Sequence, residues 1–326
     1  MKIGRPFWLH PLVFACALAT ALLPLASCSR PNLRQSLRAA TAATPNSWPQ
    51  MLAAYQPWFG EKNHMNVGYS SNDPVALQKQ IGEAKNLGIA AFVVNWYGPS
   101  KTFEDGNYAL LQNLAAKDDF KVAIQYDESV DSPGSTTDAV VNDLRFAYDR
   151  YIGSQAGTSR DAYLRYNGRP LIFIFPKNAG TDWNQVRQAV DAWPEPDRPL
   201  LITQAYGGRY AGAFDGFYAW VGPGPQGWTP DGSHWGGDYL ENFYQTMIAK
   251  YPDKVPVGAA WPGFDDSHAP WGQNRHISPR CGKTFEDTLR LFRAFYNDSH
   301  PLPFLMIDTW NDYEEGTAIE KGLPRC

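Results

Sequence analysis

The chain has 326 residues, a net charge of −4 and 19% charged residues, with no basic cluster outside a short stretch near its N-terminus. That balance excludes the electrostatic footprint of a nucleic-acid binder. Its 12 Trp, 17 Tyr and 17 Phe are the more telling feature. Several tryptophans sit beside Gly and Pro in loops, where planar rings suit the apolar faces of sugars as well as protein interfaces.

The first segment reads as an address. Lys2 and Arg5 precede the apolar stretch "LVFACALATALLPLA", which is too short for an ordinary membrane span. It ends in Leu25-Ala26-Ser27-Cys28, which resembles the lipobox of bacterial lipoproteins. That resemblance implies a signal peptide over 1–27, lipid on Cys28 and a place in the bacterial cell envelope, with Ser29 favouring the outer membrane. Residues 28–47 are polar and small, lack a clear apolar stripe and are expected to be a tether. No internal repeat or second linker follows, so 48–326 is expected to be one domain, near the roughly 250 residues of an eight-stranded α/β barrel.

Eight short apolar runs then appear in order: "MLAAYQPW" (51–58), "IAAFVVNW" (89–96), "FKVAIQY" (120–126), "PLIFIF" (170–175), "PLLITQA" (199–205), "FDGFYAW" (214–220), "VPVGAAW" (255–261) and "LPFLMID" (302–308). They are nearly continuous rather than alternating, as parallel strands covered on both faces should be. Amphipathic helical patterns separate most of them. "DPVALQKQIGEAKNLG" opens on a capping Asp followed by Pro and closes on Gly88. "YGGRYAGA" is too short for a full helix, and the chain leaves no room for a complete eighth one. The economical closure is a (β/α)8 TIM-type barrel with its eighth helix short or missing. A doubly wound open sheet is the alternative, but no Gly-rich phosphate loop follows the first run.

In such a barrel the chemistry sits where the strands end. Carboxylates, amides and aromatics gather there: Tyr55, Trp58, Asn95, Trp96, Asp127, Glu128, Trp220, Asp265 and Asp266. The last run leads into "TWNDYEEGTAIEKG", which places four carboxylates in nine residues, from Asp312 to Glu320. No Gly-x-Ser-x-Gly and no Cys/His zinc spacing occurs, so neither a serine hydrolase nor a metal or other cofactor is expected. A carboxylate-lined, Trp-rich mouth suits glycoside chemistry, with one acid for the leaving oxygen and one carboxylate to activate a nucleophile.

"YQPWFG", "LGIAAFVVNWYG", "PGFDD" and "TWNDYEEGTAIE" resemble signatures of the glycoside hydrolase family 71 and family 99 proteins. Those families comprise endo-α-1,3-glucanases and endo-α-mannosidases. Asn311, Glu315, Gly316 and Thr317 match the family 99 pattern, whereas Asp312 matches family 71. The resemblance implies Glu315 as general acid and Asp312 as base or as assistant to the sugar's own 2-hydroxyl. Tyr55, Trp58, Asn95, Trp96, Asp127, Trp220, Asp265, Asp266, Trp310 and Asn311 are expected to bind sugar, with Asp265 and Asp266 also readable as a pair that pins a loop. Glu314 is expected to face solvent.

The expected activity is cleavage of an α-linked polysaccharide or oligosaccharide by a monomer held to the membrane only by lipid. A non-catalytic surface glycan-binding lipoprotein on the same barrel is the alternative. A solute-binding lipoprotein would want two lobes and a hinge. With Cys16 leaving in the signal peptide and Cys28 taking lipid, Cys281 and Cys326 remain as a disulfide pair near the last two strands.

Overall fold

In the computed structural model, which describes residues 32–41, 49–128, 136–177, 180–195 and 197–324, each of the eight apolar runs becomes a strand. In chain order these are Gln50–Tyr55, Ile89–Trp96, Lys121–Asp127, Arg169–Phe175, Leu200–Gln204, Gly216–Tyr218, Val255–Ala260 and Phe304–Ile307. Every neighbouring pair is parallel, from the first with the second (Leu52 opposite Ala91) to the eighth with the seventh (Phe304 opposite Val257). The first strand also pairs with the eighth (Met51 opposite Leu305), so the sheet closes into a (β/α)8 barrel. The described residues all belong to one compact unit, Pro31–Cys326.

The strands are apolar on both faces because one face fills the barrel and the other meets helices. Ala91 to Val94 and Leu171 to Ile174 are buried without a break. The helices are Pro74–Leu87, Thr102–Lys117, Thr136–Ala147, Trp183–Asp191, Gly237–Lys250 and Lys283–Leu291. Asp73 caps the first of these by accepting from the Val75 N–H, and Pro74 starts it as its sequence demands. A 3₁₀ turn over Gly208–Ala213 replaces the helix between the fifth and sixth strands. No helix follows the eighth strand among the described residues. Gly216 allows a close approach: a Cβ there would lie 2.4 Å from the Val255 carbonyl oxygen.

The expected tether needs correction. Leu33–Thr41 is a helix, with Leu33 and Leu37 buried. Their four-residue spacing puts both on one face. Ser36 Oγ donates to Glu286, and Arg34 reaches the Asn86 carbonyl, so the helix lies against its neighbours. The signal segment 1–27, Cys28 and Cys326 lie outside the described residues. Cys281 is disulfide-bonded. Among the described residues no helix is long and apolar enough to cross a membrane.

Candidate active site

The strand ends open into a cavity of about 530 Å³. Its floor and walls include Trp58, Asn95, Asp127, Trp220, Asp312 and Glu315, six of the residues expected from sequence. Gln56, His64, Tyr97, Gln125, Trp228, Trp271 and Arg275 complete much of the lining.

The two candidate catalytic carboxylates come from a turn wound around Asp312. Its Oδ1 accepts from the N–H groups of Glu314 (3.1 Å) and Glu315 (2.9 Å). Its carbonyl accepts from Thr317 and Ala318, and its own N–H donates to Thr309 Oγ1 at 2.8 Å. Asp312 therefore shapes the turn that presents Glu315. Gly316 has φ 65°, and a Cβ there would crowd the backbone of Asp265 at 3.2 Å. Glycine permits both the left-handed conformation and the close approach.

Burial, the Glu315 charge and the nearby Glu314 push the Asp312 carboxyl well above the usual carboxylate range, against the pull of its two N–H donors. Burial also raises Glu315, opposed by the Trp271 indole and the cations Arg275 and Lys177. Trp271 Nε1 donates to Glu315 Oε1 at 2.8 Å. Burial thus raises both carboxyls. Two raised, mutually repelling carboxyls share one proton over a range of pH in which isolated ones would have lost both.

Other expected site residues are placed elsewhere. Tyr55 is buried with its hydroxyl on Gln80 (2.7 Å), and Trp96 is buried with Nε1 on Asp105 (3.0 Å). Trp310 is fully buried against Phe92, ring centroids 5.3 Å apart. Tyr55 and Trp96 end strands that are covered on both sides, and Trp310, beyond the eighth strand, is held against the first by its N–H on the Ala54 carbonyl. Asn311 does not face the cavity either. Its amide clamps the backbone of Gln56 in both directions (2.7 and 2.9 Å), holding the end of the first strand. Asp265 accepts from Ser267 N–H, and its own N–H donates to the Glu315 carbonyl at 2.9 Å. Asp266 is fully buried and binds Arg275 through the guanidinium Nε (2.6 Å) and the backbone N–H (2.7 Å). Both are loop pins, and Asp266 supports Arg275 in the cavity wall.

Glu314 overturns its expectation of a solvated charge. It is 1% exposed. One oxygen lies 2.9 Å from His64 Nδ1, and the other accepts from Met65 N–H at 2.8 Å. His64 in turn stacks on Trp58 with centroids 4.8 Å apart and planes 8° apart. It also meets the edge of Trp271 at 6.1 Å. A buried acid thus fixes the aromatic wall beside Glu315. His64, Trp271 and Arg275 were not singled out from sequence; the long insertion after the seventh strand, which carries a small hairpin (Phe264–Asp265 with His276–Ile277), was the available signal for Trp271 and Arg275, and His64, in the loop after the first strand, had none.

On the opposite wall Lys177 Nζ binds Asp127 Oδ2 at 2.8 Å. Asn95 Nδ2 donates to Tyr97 Oη at 2.7 Å. Glu128 accepts from Thr181 Oγ1 and from Lys177 N–H, tying down the loop after the fourth strand. Burial raises Asp127, offset by Lys177. Gln56 Oε1, Trp58 Nε1, Asn95 Oδ1, Gln125 Oε1 and Asp127 Oδ1 are all buried without a hydrogen-bond partner. All five residues line the cavity. Such atoms are costly to leave unpaired unless a ligand or water satisfies them.

The sequence profile described as glycosyl hydrolase family 71 matches residues 63–321. The mouse glycoprotein endo-α-1,2-mannosidase-like protein is 23% identical over 279 residues, 79% of this chain and 57% of that protein. The mouse glycoprotein endo-α-1,2-mannosidase is 22% identical over 280 residues, with 79% and 56% covered. The chain thus spans a little over half the length of these relatives. Among solved structures, the GH99 endo-α-mannosidase of Bacteroides thetaiotaomicron superposes with a TM-score of 0.63 at 19% identity, covering 85% of this chain and 89% of that one. At that identity the likeness speaks for the barrel alone. The family match extends from just before His64 to just beyond Glu320, across the second to eighth strands and the turn bearing Asp312 and Glu315: the chain belongs to glycosyl hydrolase family 71.

Proposed function

We propose that the protein is a glycoside hydrolase cleaving α-linked glycan chains, with α-mannosides as the first substrate class and α-1,3-glucan as the second. The observation that carries this reading is the buried Asp312 and Glu315 carboxyls side by side in one turn, in a cavity lined by rings and unpartnered polar atoms. The rings offer faces to a sugar, and its hydroxyls would pair the orphaned atoms. The names of the curated relatives favour internal α-mannosidic bonds.

In the competent state Glu315 carries the shared proton and Asp312 is ionised, stabilised by the two backbone N–H groups on its Oδ1. Burial still raises Asp312 in that state, but protonating Glu315 removes the repulsion that adds to it, leaving the two N–H donors to favour the carboxylate. Glu315 gives its proton to the glycosidic oxygen as the anomeric C–O bond breaks. Asp312 takes the proton from the attacking hydroxyl as its oxygen bonds the anomeric carbon. When that hydroxyl is water's, the hydrolysed sugar forms at once and proton exchange with solvent resets the pair. When it is the sugar's own at C2, water then opens the 1,2-anhydro ring, giving its proton to Glu315 while Asp312 returns one to O2. Whether that hydroxyl belongs to water or to the sugar's own C2 is read from the first anomer formed, by proton NMR. The export signal and lipid on Cys28 belong to the same proposal, tested by the mass of the N-terminal peptide of the cell-derived protein.

The decisive experiment incubates the purified protein with reducing-end-labelled α-mannan fragments and α-1,3-glucan fragments. Shorter labelled products that disappear in Glu315→Gln support the reading. Binding of either glycan with no cleavage would make the protein a glycan-binding relative instead.

A further inference from the structure

Beside the catalytic mouth lies a second cavity of about 510 Å³, between the ends of the fourth and fifth strands. It shares Lys177 with the first cavity. Trp183 and Phe214 form its floor, with ring centroids 5.2 Å apart. Arg209, exposed, lies 4.8 Å over the Tyr210 ring and donates Nη2 to the Tyr210 hydroxyl at 3.0 Å. Thr203 also lines the groove, and its Oγ1 is buried with no hydrogen-bond partner. Gly207 and Gly208 border it with bare backbone. A Cβ on Gly207 would sit 2.9 Å from the Phe214 ring, so the loop can approach that ring only as glycine.

This combination has a definite chemical character. Rings, a hydroxyl and a guanidinium recognise the faces and hydroxyls of a sugar. None of the groove's lining residues is Asp or Glu, so the groove can bind glycan but has no acid pair with which to cut it. The shared Lys177 makes it continuous with the catalytic cavity, where that side chain is already held by Asp127. Lys177, which lines both, is the point at which a chain leaving the first cavity would reach the second.

We propose that this groove is a second glycan subsite, holding sugar residues of the same α-linked chain, or of its branch, beyond those bound around Asp312 and Glu315. The proposal rests on the glycosidase reading and adds a length requirement to it. Substrates that span both cavities bind more tightly than those that fill only the first.

The test uses the full chain carrying Glu315→Gln, so that nothing is cleaved, and a ladder of α-1,2-linked manno-oligosaccharides from the disaccharide upward, titrated by calorimetry. Affinity should rise about tenfold once the chain is long enough to pass Lys177. Arg209→Ala and Tyr210→Ala should abolish that rise while leaving disaccharide affinity unchanged, which also shows that each variant is folded. Tyr210→Phe, which keeps the ring, should retain most of it. If the disaccharide binds but longer chains gain nothing, or the gain survives both alanine variants, the second subsite is refuted and the glycosidase reading stands. If no member of the ladder and no α-1,3-glucan fragment binds, the glycosidase reading fails and this inference with it.

Discussion

The role of Glu315 can be tested through a residue that never touches the reacting bond. Trp271→Phe keeps a ring of similar shape against Trp58 and His64, whose centroids lie 5.6 and 6.1 Å away. It removes the indole N–H donated to Glu315 Oε1 at 2.8 Å. That donor stabilises the ionised carboxylate, so its loss must raise the Glu315 pKa further. A hydrogen bond to a charged group contributes about 1.5–3 kcal/mol net when buried, and about 1.4 kcal/mol is one pKa unit. Trp271 is 42% exposed, so water replaces part of what is lost, and a shift of about half to one unit is the reasonable magnitude. The assay is kcat/KM against pH with an activated aryl α-glycoside. If Glu315 must be protonated to act, it governs the alkaline limb, and that limb moves to higher pH while the acid limb stays. Movement of the acid limb instead would make Glu315 the base and reverse the assignment. An unchanged profile would show that the Trp271 bond bears on no rate-controlling group.

Glu315→Gln and Asp312→Asn should each lower kcat by about 10²–10⁴-fold. A glycosyl fluoride, whose leaving group needs no proton, should partly restore turnover in Glu315→Gln but not in Asp312→Asn. Glu314→Gln, which leaves His64 without its charged partner, should lower both melting temperature and kcat, the latter by about tenfold rather than to nothing; wild-type behaviour would mean the buried pair is dispensable. Asp308 is fully buried with no side-chain partner, and burial holds its pKa well above the usual range against the pull of the Val221 N–H. The folded state therefore binds more protons than the unfolded one, and this group's stability is present below the unfolded pKa and lost as pH rises through the folded one. Asp308→Asn should accordingly raise the melting temperature at neutral pH and change it little below the ordinary Asp pKa; a variant less stable at neutral pH would refute this. Gly216→Ala should destabilise by about 1–3 kcal/mol in denaturant titration, because the clash is with backbone that cannot rotate away.

Strand positions were legible because burial on both faces writes itself as continuous apolar runs, and the eight runs match the eight strands to within a few residues. The acid-rich turn at the cavity was legible for a different reason: it directly follows a buried strand, on the face where barrel strands end. Side-chain direction was not legible. Trp58, in the loop after the first strand, lines the cavity, whereas Trp96, the last residue of the second, is sealed against Asp105. Which way a ring turns at a strand end depends on the loop that covers it, and no local pattern encodes that loop. The same holds for Leu33–Thr41, whose two leucines form too narrow a stripe to read as a helix until neighbouring helices supply the other half of the packing.

The acids after the eighth strand divide by what they hold. Asp312 and Glu315 reach the cavity. Glu314 and Glu320 turn away from it, yet neither is an idle surface charge. Glu314 binds His64 and the Met65 N–H. Glu320 accepts from Tyr69, Tyr313 and Gln80. Asn311 adds its clamp on Gln56 and accepts no other duty in the cavity. Apart from Tyr313, in the same turn, all these partners lie between residues 56 and 80, in and just beyond the loop that follows the first strand and supplies Trp58 and His64 to the site. The first and eighth strands are neighbours only because the barrel closes. Closure therefore brings the two ends of the described domain together, and the acidic turn fastens them. A charge spent on fastening is buried and bound to the groups it holds, whereas Asp312 and Glu315 face the cavity with no salt-bridge partner among the described residues. One short turn meets both demands by alternating the directions of its side chains, which is why its acids are so many and why only two of them line the cavity.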